Sequence, residues 1–128
     1  MSDVRRKEDL RIRTKQFANS IIGLFVRLDR RRDEVRVIGN QLLRSAPSVA
    51  AQYREASRAR SPEEFIAKIE ACTQEADETQ LWLELLTENG MVSPETTEPV
   101  LKETNELISI FVTMSKRTKA NKITNPAR

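Results

Sequence analysis

Carboxylates, arginines and one thiol are the groups in this chain that could do chemistry. Glu70, Glu75, Asp77 and Glu78 fall within three turns of one helical stretch. Oxygen ligands at that spacing could in principle hold Mg²⁺; the plain alternative is an exposed or salt-bridged helix face. Histidine is absent, which removes Ser-His-Asp and Cys-His catalysis and the Glu-x-x-His sites of di-iron bundles. Cys72 is the only cysteine, so it can form neither an intrachain disulfide nor a structural zinc site. Its apolar helical phase predicts a buried thiol, and the sparse cysteine usage predicts a reducing, cytoplasmic setting. Three scattered glycines leave no phosphate-cradling loop and no dinucleotide fingerprint. The expectation is a protein without cofactor or metal, and not an enzyme.

The arginines fall into two groups. Arg30, Arg31, Arg32 and Arg36 form one, Arg54, Arg58 and Arg60 the other, and both suit planar recognition of phosphate or carboxylate. Asp29, Asp33, Glu34 and Glu55 dilute them, and no aromatic residue interleaves for base stacking. The competing reading is a solvated face with ion pairs to acidic residues elsewhere. Residues 1–60 hold fifteen Lys and Arg against seven Asp and Glu, whereas residues 61–128 hold seven against twelve. Balances of +8 and −5 sum to the chain's +3. Such a division implies a polar partner for the first half, or the two halves facing each other.

Helices must position these groups. Phe17, Ile21, Leu24, Phe25 and Leu28 recur at helical spacing in a first segment. Arg30-Arg31-Arg32 suit a helix C-terminus and Asp33-Glu34 a helix N-terminus, which predicts a turn at Asp29–Arg32. The second helix carries Val35, Ile38, Leu42, Ala46, Val49 and Tyr53. That stripe keeps its phase across Pro47, so the proline is expected inside one continuous, kinked helix, where it costs on the order of 3 kcal/mol unless compensated. Ser45, Ala46, Ser48, Ala50 and Ala51 around it would admit a neighbouring backbone. Ser61-Pro62-Glu63-Glu64 is a capped helix start. From there Phe65, Ile69, Cys72, Ala76, Thr79, Leu83 and Leu86 step by four and three as a bundle seam, closed by Asn89-Gly90. A fourth helix runs to about Lys116, its start divided between the Ser93-Pro94-Glu95 cap and Pro99 one turn later.

Short connections between helices of this length predict an all-α, antiparallel up-down four-helix bundle over residues 1–118. Residues 119–128 are expected to be a basic, disordered tail. The best apolar run, "IIGLFV", is six residues, too short for a signal-peptide core or a membrane span. Near its end the third helix reads "LWLELL", whose side chains fan over about 200° where a surface helix needs a stripe of about 100°. "LISIFVTM" on the fourth is similarly broad. Faces that wide predict self-association through Leu81, Trp82, Leu85, Ile110 and Phe111; a fatter monomer core around Trp82 is the alternative.

Within residues 41–86 the stretch "LLRSAPSVAAQYREASRARSPEEFIAKIEACTQEADETQLWLELL" resembles the four-helix-bundle proteins encoded in intervening sequences of bacterial 23S ribosomal RNA genes. Arg44, Pro47, Ser48, Glu55, Phe65, Glu75 and Glu78 occupy motif positions of that family. Gln52, where relatives often have Asn, and Ala56, where many have Gly, depart from it. In fold it is also similar to accessory proteins of diversity-generating retroelements. The resemblance implies a ring-like homopentamer acting as a nucleic-acid-associated adaptor. The expected function is a non-enzymatic homo-oligomer that associates with RNA, or with an RNA–protein complex, through its arginines. A scaffold that binds only proteins is the alternative. A peripheral membrane role is disfavoured, because charged positions leave the first helix too little apolar area.

Overall fold

A computed structural model describes residues 3–124, which form four helices: α1 (Asp3–Phe25), α2 (Asp33–Ser57), α3 (Pro62–Glu88) and α4 (Pro94–Thr124). Each packs on its neighbours in chain order, and α4 returns to α1, so the helices form a four-sided bundle. The broadest contact joins α2 to α3 and the narrowest joins α1 to α4. Cross-links at the ends show the antiparallel course. Tyr53, late in α2, donates its hydroxyl to the Lys7 carbonyl early in α1 at 3.3 Å. Thr87, near the end of α3, donates to Thr97 in the first turns of α4 at 2.8 Å.

The turns follow from local chemistry. Residues 26–32 separate α1 from α2, and Arg30 donates to the Phe25 carbonyl at 3.0 Å, satisfying one of the last carbonyls of α1 with a cation that its dipole favours. Ser61 accepts the Glu64 amide at 3.1 Å, with Pro62 opening α3. Gly90 (φ +70°) ends that helix in the left-handed conformation that suits glycine. The Met91 amide then reaches the Leu86 carbonyl at 2.9 Å and the Gly90 amide that of Thr87 at 3.1 Å, the paired bonds of a Schellman cap. Ser93 caps α4, its hydroxyl accepting the Thr96 amide at 3.3 Å. The fourth helix therefore starts at Pro94, and Pro99 lies inside it.

The expected end of α4 differs. The helix continues past Lys116 to Thr124, because Lys119 pairs with Glu70 and Lys122 with Glu63, each at 2.7 Å, against the start of α3. Of the expected disordered tail, residues 119–124 are thus helical, and residues 125–128 lie outside the described residues.

The core runs along the bundle axis. Ile21, Leu42, Val49, Ile69, Leu83, Leu86 and Leu107 are all fully buried. Tyr53 of α2 and Phe111 of α4 stack across it with ring centroids 6.3 Å apart. Phe111 is 0% exposed within the single chain, so it cannot serve the subunit interface to which its broad stripe assigned it. The α4 stripe is wide because α4 packs broadly on α3 and also, more narrowly, on α1.

Pro47 sits inside a continuous α2. Around it Ser45 and Ala46 are buried, at 3% and 0% exposure, while Ala51 faces solvent. At this approach of α2 to α3 the Thr79 hydroxyl donates to the Glu75 carbonyl at 2.9 Å. Thr79 Oγ1 also lies 2.8 Å from Ser45 Oγ. The small residues thus form a close helix contact with its polar groups paired.

Cys72 is fully buried, its thiol 3.7 Å from the Val49 carbonyl. Burial pushes its pKa from 9.0 up to about 12, and burial likewise moves Tyr53 from 10.0 to about 12. Both groups hold their protons longer in the folded chain than in the unfolded one. Their contribution to stability is present below about pH 9 and is lost as pH rises toward 12. Iodoacetamide at neutral pH is expected to leave native Cys72 unmodified and to label it fully in urea. Equal labelling in both states would show that this part of the core is open.

Candidate functional site

The first arginine group is largely neutralised where it stands. Arg31 binds Asp29 at 2.9 Å, Arg32 binds Glu34 at 2.7 Å and Arg36 binds Asp33 at 2.9 Å. Arg31 holds Asp29 below the usual carboxylate range through its side-chain hydrogen bond. Glu34 is held low by its own backbone amide and then by Arg32. Arg30 lies 4.6 Å over the Phe25 ring, a cation–π contact that adds to its capping bond. These four arginines brace the α1–α2 turn, and the acids that dilute them in sequence are their partners in space.

The second group is different. Arg54, Arg58 and Arg60 are exposed at the junction of α2 and α3. None of their guanidinium groups is in an ion pair among the described residues. The one nearby carboxylate of α2, Glu55, is taken by Lys68 at 3.2 Å. Of the neighbours at the start of α3, Glu63 pairs with Lys122 at 2.7 Å and Glu64 accepts the Arg60 backbone amide at 3.3 Å.

Four of the motif residues meet at a second place. A cleft of about 630 Å³ between α2 and α3 is lined by Arg44, Ser48, Glu75 and Glu78, together with Leu81 and Trp82. Ser45, which contacts Thr79 across the two helices, also lines it. Glu75 is held above the usual carboxylate range, first by burial and then by the charge of Glu78. The charge of Arg44 and the Ser48 hydroxyl act in the opposite direction. The indole N–H of Trp82 is buried without an acceptor, an arrangement that costs about 1–3 kcal/mol. Trp82 itself is half-buried against the core, so part of the broad "LWLELL" face does thicken the monomer, whereas Leu81 beside it remains 47% exposed. Among the described residues, no group of three or more potential ligands is placed to hold a metal ion; Glu70, a member of the acidic run, is paired with Lys119 instead.

The other motif positions serve the scaffold. Pro47 lies within α2, Glu55 ties that helix to α3 through Lys68, and Phe65 packs half-buried against the core.

On the opposite side of the bundle, α1 and α4 part to leave a groove of about 430 Å³. Leu10, Ile110 and Met114 form its apolar part, with Arg6, Asp9, Arg13 and Arg117 around them. Arg13 is committed to Glu103 and Glu106, each at 2.6 Å. Ile110 therefore belongs to this groove, while Leu81, Trp82 and Leu85 belong to α3. The residues expected from sequence to associate thus lie on different sides of the molecule.

Sequence reasoning missed a further feature. Ile12 and Ile22 of α1, with Val26 just past its end, form an outward apolar strip at 49%, 41% and 62% exposure. At about 100° per residue the three fall within about 80° of one another around the helix, so the strip was legible from spacing. Exposed Asn19 lies on the same side and interrupts it, and the stronger inward stripe of Phe17, Ile21 and Leu24 drew the assignment of the helix.

Among the described residues no helix is long and apolar enough to cross a membrane. No curated protein matches the chain. A family model described as 23S rRNA-intervening sequence protein matches residues 8–113. The chain is also similar to a crystal structure of a protein of unknown function from the S23 ribosomal protein family of Bacteroides thetaiotaomicron. That likeness has 30% identity and a TM-score of 0.77, and it covers 83% of this chain and 97% of the other. With both matches spanning most of its length, the chain belongs to the 23S rRNA-intervening sequence protein family.

Proposed function

We propose that the protein is a non-enzymatic, homo-oligomeric adaptor that associates with RNA, or with an RNA–protein complex, through arginines exposed at the α2–α3 junction. The observation that carries this reading is the set Arg54, Arg58 and Arg60, three exposed guanidinium groups outside any ion pair among the described residues. Such groups can take phosphate oxygens without first giving up a carboxylate. The ribosomal-RNA setting in the family's name is consistent with it. Repetition of a small cluster around an oligomer would let modest sites act together. The reading shifts the weight within the two arginine groups, since Arg30, Arg31, Arg32 and Arg36 would have to break local pairs or contacts to bind anything else.

Anisotropy titration of a labelled single-stranded RNA, repeated across salt concentrations, tests it. Log affinity is expected to fall with log salt by roughly 0.7 per phosphate contact. Arg54/Arg58/Arg60→Glu should remove most of the binding and flatten that slope by about 2, whereas Arg30/Arg31/Arg32→Glu should have the smaller effect. The loss should be uniform across RNA sequences, as befits contacts that position rather than read bases. No binding at low salt, or binding that survives the first triple reversal, overturns the reading. A protein-only scaffold then becomes the better account, and the locally neutralised Arg30–Arg36 turn already fits it.

A further inference from the structure

We infer that the α2–α3 cleft binds a small zwitterion of the amino-acid class. Its carboxylate would lie on Arg44, its ammonium on Glu75 and Glu78, and its apolar side chain against Leu81 and Trp82. The inference is independent of the RNA reading and concerns residues that reading does not use.

The two walls of the cleft carry opposite charge. Arg44 and, one turn on, Ser48 come from α2; Glu75 and, one turn on, Glu78 come from α3. Leu81 and Trp82 continue the α3 wall at the next helical repeat, so its charged part passes into an apolar part. The three charged groups share a space of about 630 Å³. Yet none of them is in an ion pair among the described residues. The α1–α2 turn behaves differently, since Arg31, Arg32 and Arg36 there close on their carboxylates at 2.7 to 2.9 Å. In the cleft, opposite charges stand on facing walls with their strongest contacts still unmade.

That arrangement selects the occupant. A plain anion on Arg44 would stand against two carboxylates, and a plain cation on the glutamates would bring a like charge toward Arg44. A zwitterion sets an opposite charge at each wall, where both contacts become charge-assisted hydrogen bonds. Volume agrees, because small-molecule sites commonly measure about 300–1,000 Å³. Two further observations point the same way. Burial and the charge of Glu78 hold Glu75 above its ordinary range, although Arg44 and Ser48 act in the opposite direction, so a cation between the two carboxylates relieves a standing repulsion. Trp82 adds an unmet donor to the residues of this wall, its N–H being buried without an acceptor.

Trp82 is the chain's only tryptophan, so its fluorescence reports on this cleft, and L-leucine is the probe. Titration with leucine should shift the emission saturably. Leucinamide, which lacks the carboxylate, and N-acetyl-leucine, which lacks the ammonium, should each bind about tenfold or more weakly than leucine. Glycine, without an apolar side chain, should also bind more weakly. Arg44→Gln and Glu78→Gln, both at exposed positions, should each weaken leucine about tenfold or more with helicity by circular dichroism unchanged. Arg44→Gln should leave the affinity for leucinamide near that of the parent, because leucinamide never used the guanidinium; a merely structural role for Arg44 would weaken both ligands equally. No saturable shift up to the solubility of leucine overturns the inference. Leucinamide binding as tightly as leucine makes the cleft a cation site and overturns it too, and N-acetyl-leucine binding as tightly does the same in favour of an anion site. Equal loss of leucine and leucinamide in Arg44→Gln overturns the place given to the carboxylate.

Discussion

Phe111→Ala is expected to destabilise the bundle by about 3–5 kcal/mol, the usual cost of emptying a fully buried aromatic site. Phe111 is 0% exposed and its ring lies 6.3 Å from that of Tyr53, so truncation removes a diagonal contact between α2 and α4 as well as the ring itself. The surroundings have little room to collapse, because Leu107, Val49 and Ile69 are themselves fully buried in the same core. A shift of this size should lower the urea midpoint severalfold more than Leu81→Ala, a change at an exposed position worth within about 0.5 kcal/mol to the single chain. The comparison separates two accounts of the α4 stripe. If Phe111→Ala left the midpoint of the single chain in place but dissociated an oligomer, the ring would belong to an interface and not to the core.

Ala46→Leu should be the most damaging change along the proline-containing part of α2. Ala46 is fully buried, next to the Ser45–Thr79 hydroxyl pair that joins α2 to α3. Three extra carbons there must push the two helices apart, at a cost of about 1–3 kcal/mol from overpacking. Separation would also stretch the Ser45–Thr79 bond, leaving buried hydroxyls short of a partner at a further cost of about 1–3 kcal/mol. Ala51→Leu, further along on the exposed face, should stay within about 0.5 kcal/mol of the parent. Equal stability of the two leucine variants in a denaturant titration would show that the small residues around Pro47 are not a packing requirement.

How far the fold was legible can be seen at particular residues. The Ser61 cap, the Asn89-Gly90 stop, the turn before Asp33 and the uninterrupted course of α2 through Pro47 were all readable. Each depends on interactions within a few residues: a hydroxyl meeting an amide three positions on, a left-handed glycine, a stripe that keeps its phase. The end of α4 was not readable in the same way. Lys119 and Lys122 look like a basic tail in sequence, and they become helix because Glu70 and Glu63, more than 45 positions earlier, stand beside them. The same limit applied to the arginines. Asp29, Asp33 and Glu34 were visible beside Arg30–Arg36, but sequence order could not say whether they faced those guanidinium groups or only shared a turn with them.

The candidate site shows the division most clearly. Arg44, Ser48, Glu75 and Glu78 stood out as positions shared with the family the sequence resembles, without a role. Their meeting in one cleft depends on how α2 and α3 are rotated against each other, and the Ser45–Thr79 contact, between positions 34 apart, is one point of that packing. In the same way, apolar residues of the broad α3 and α4 stripes were all expected to serve self-association, and the packing of four helices sent them to a buried core, a half-buried wall, an exposed edge and a groove. Short-range order, the helices with their caps and inward stripes, is determined by the sequence itself, because backbone hydrogen bonds and helical periodicity act within a turn or two. Which outward residues share a surface, and which charges remain unpaired to meet a partner, only the tertiary structure decides, because side chains from different helices become neighbours only once the helices have packed.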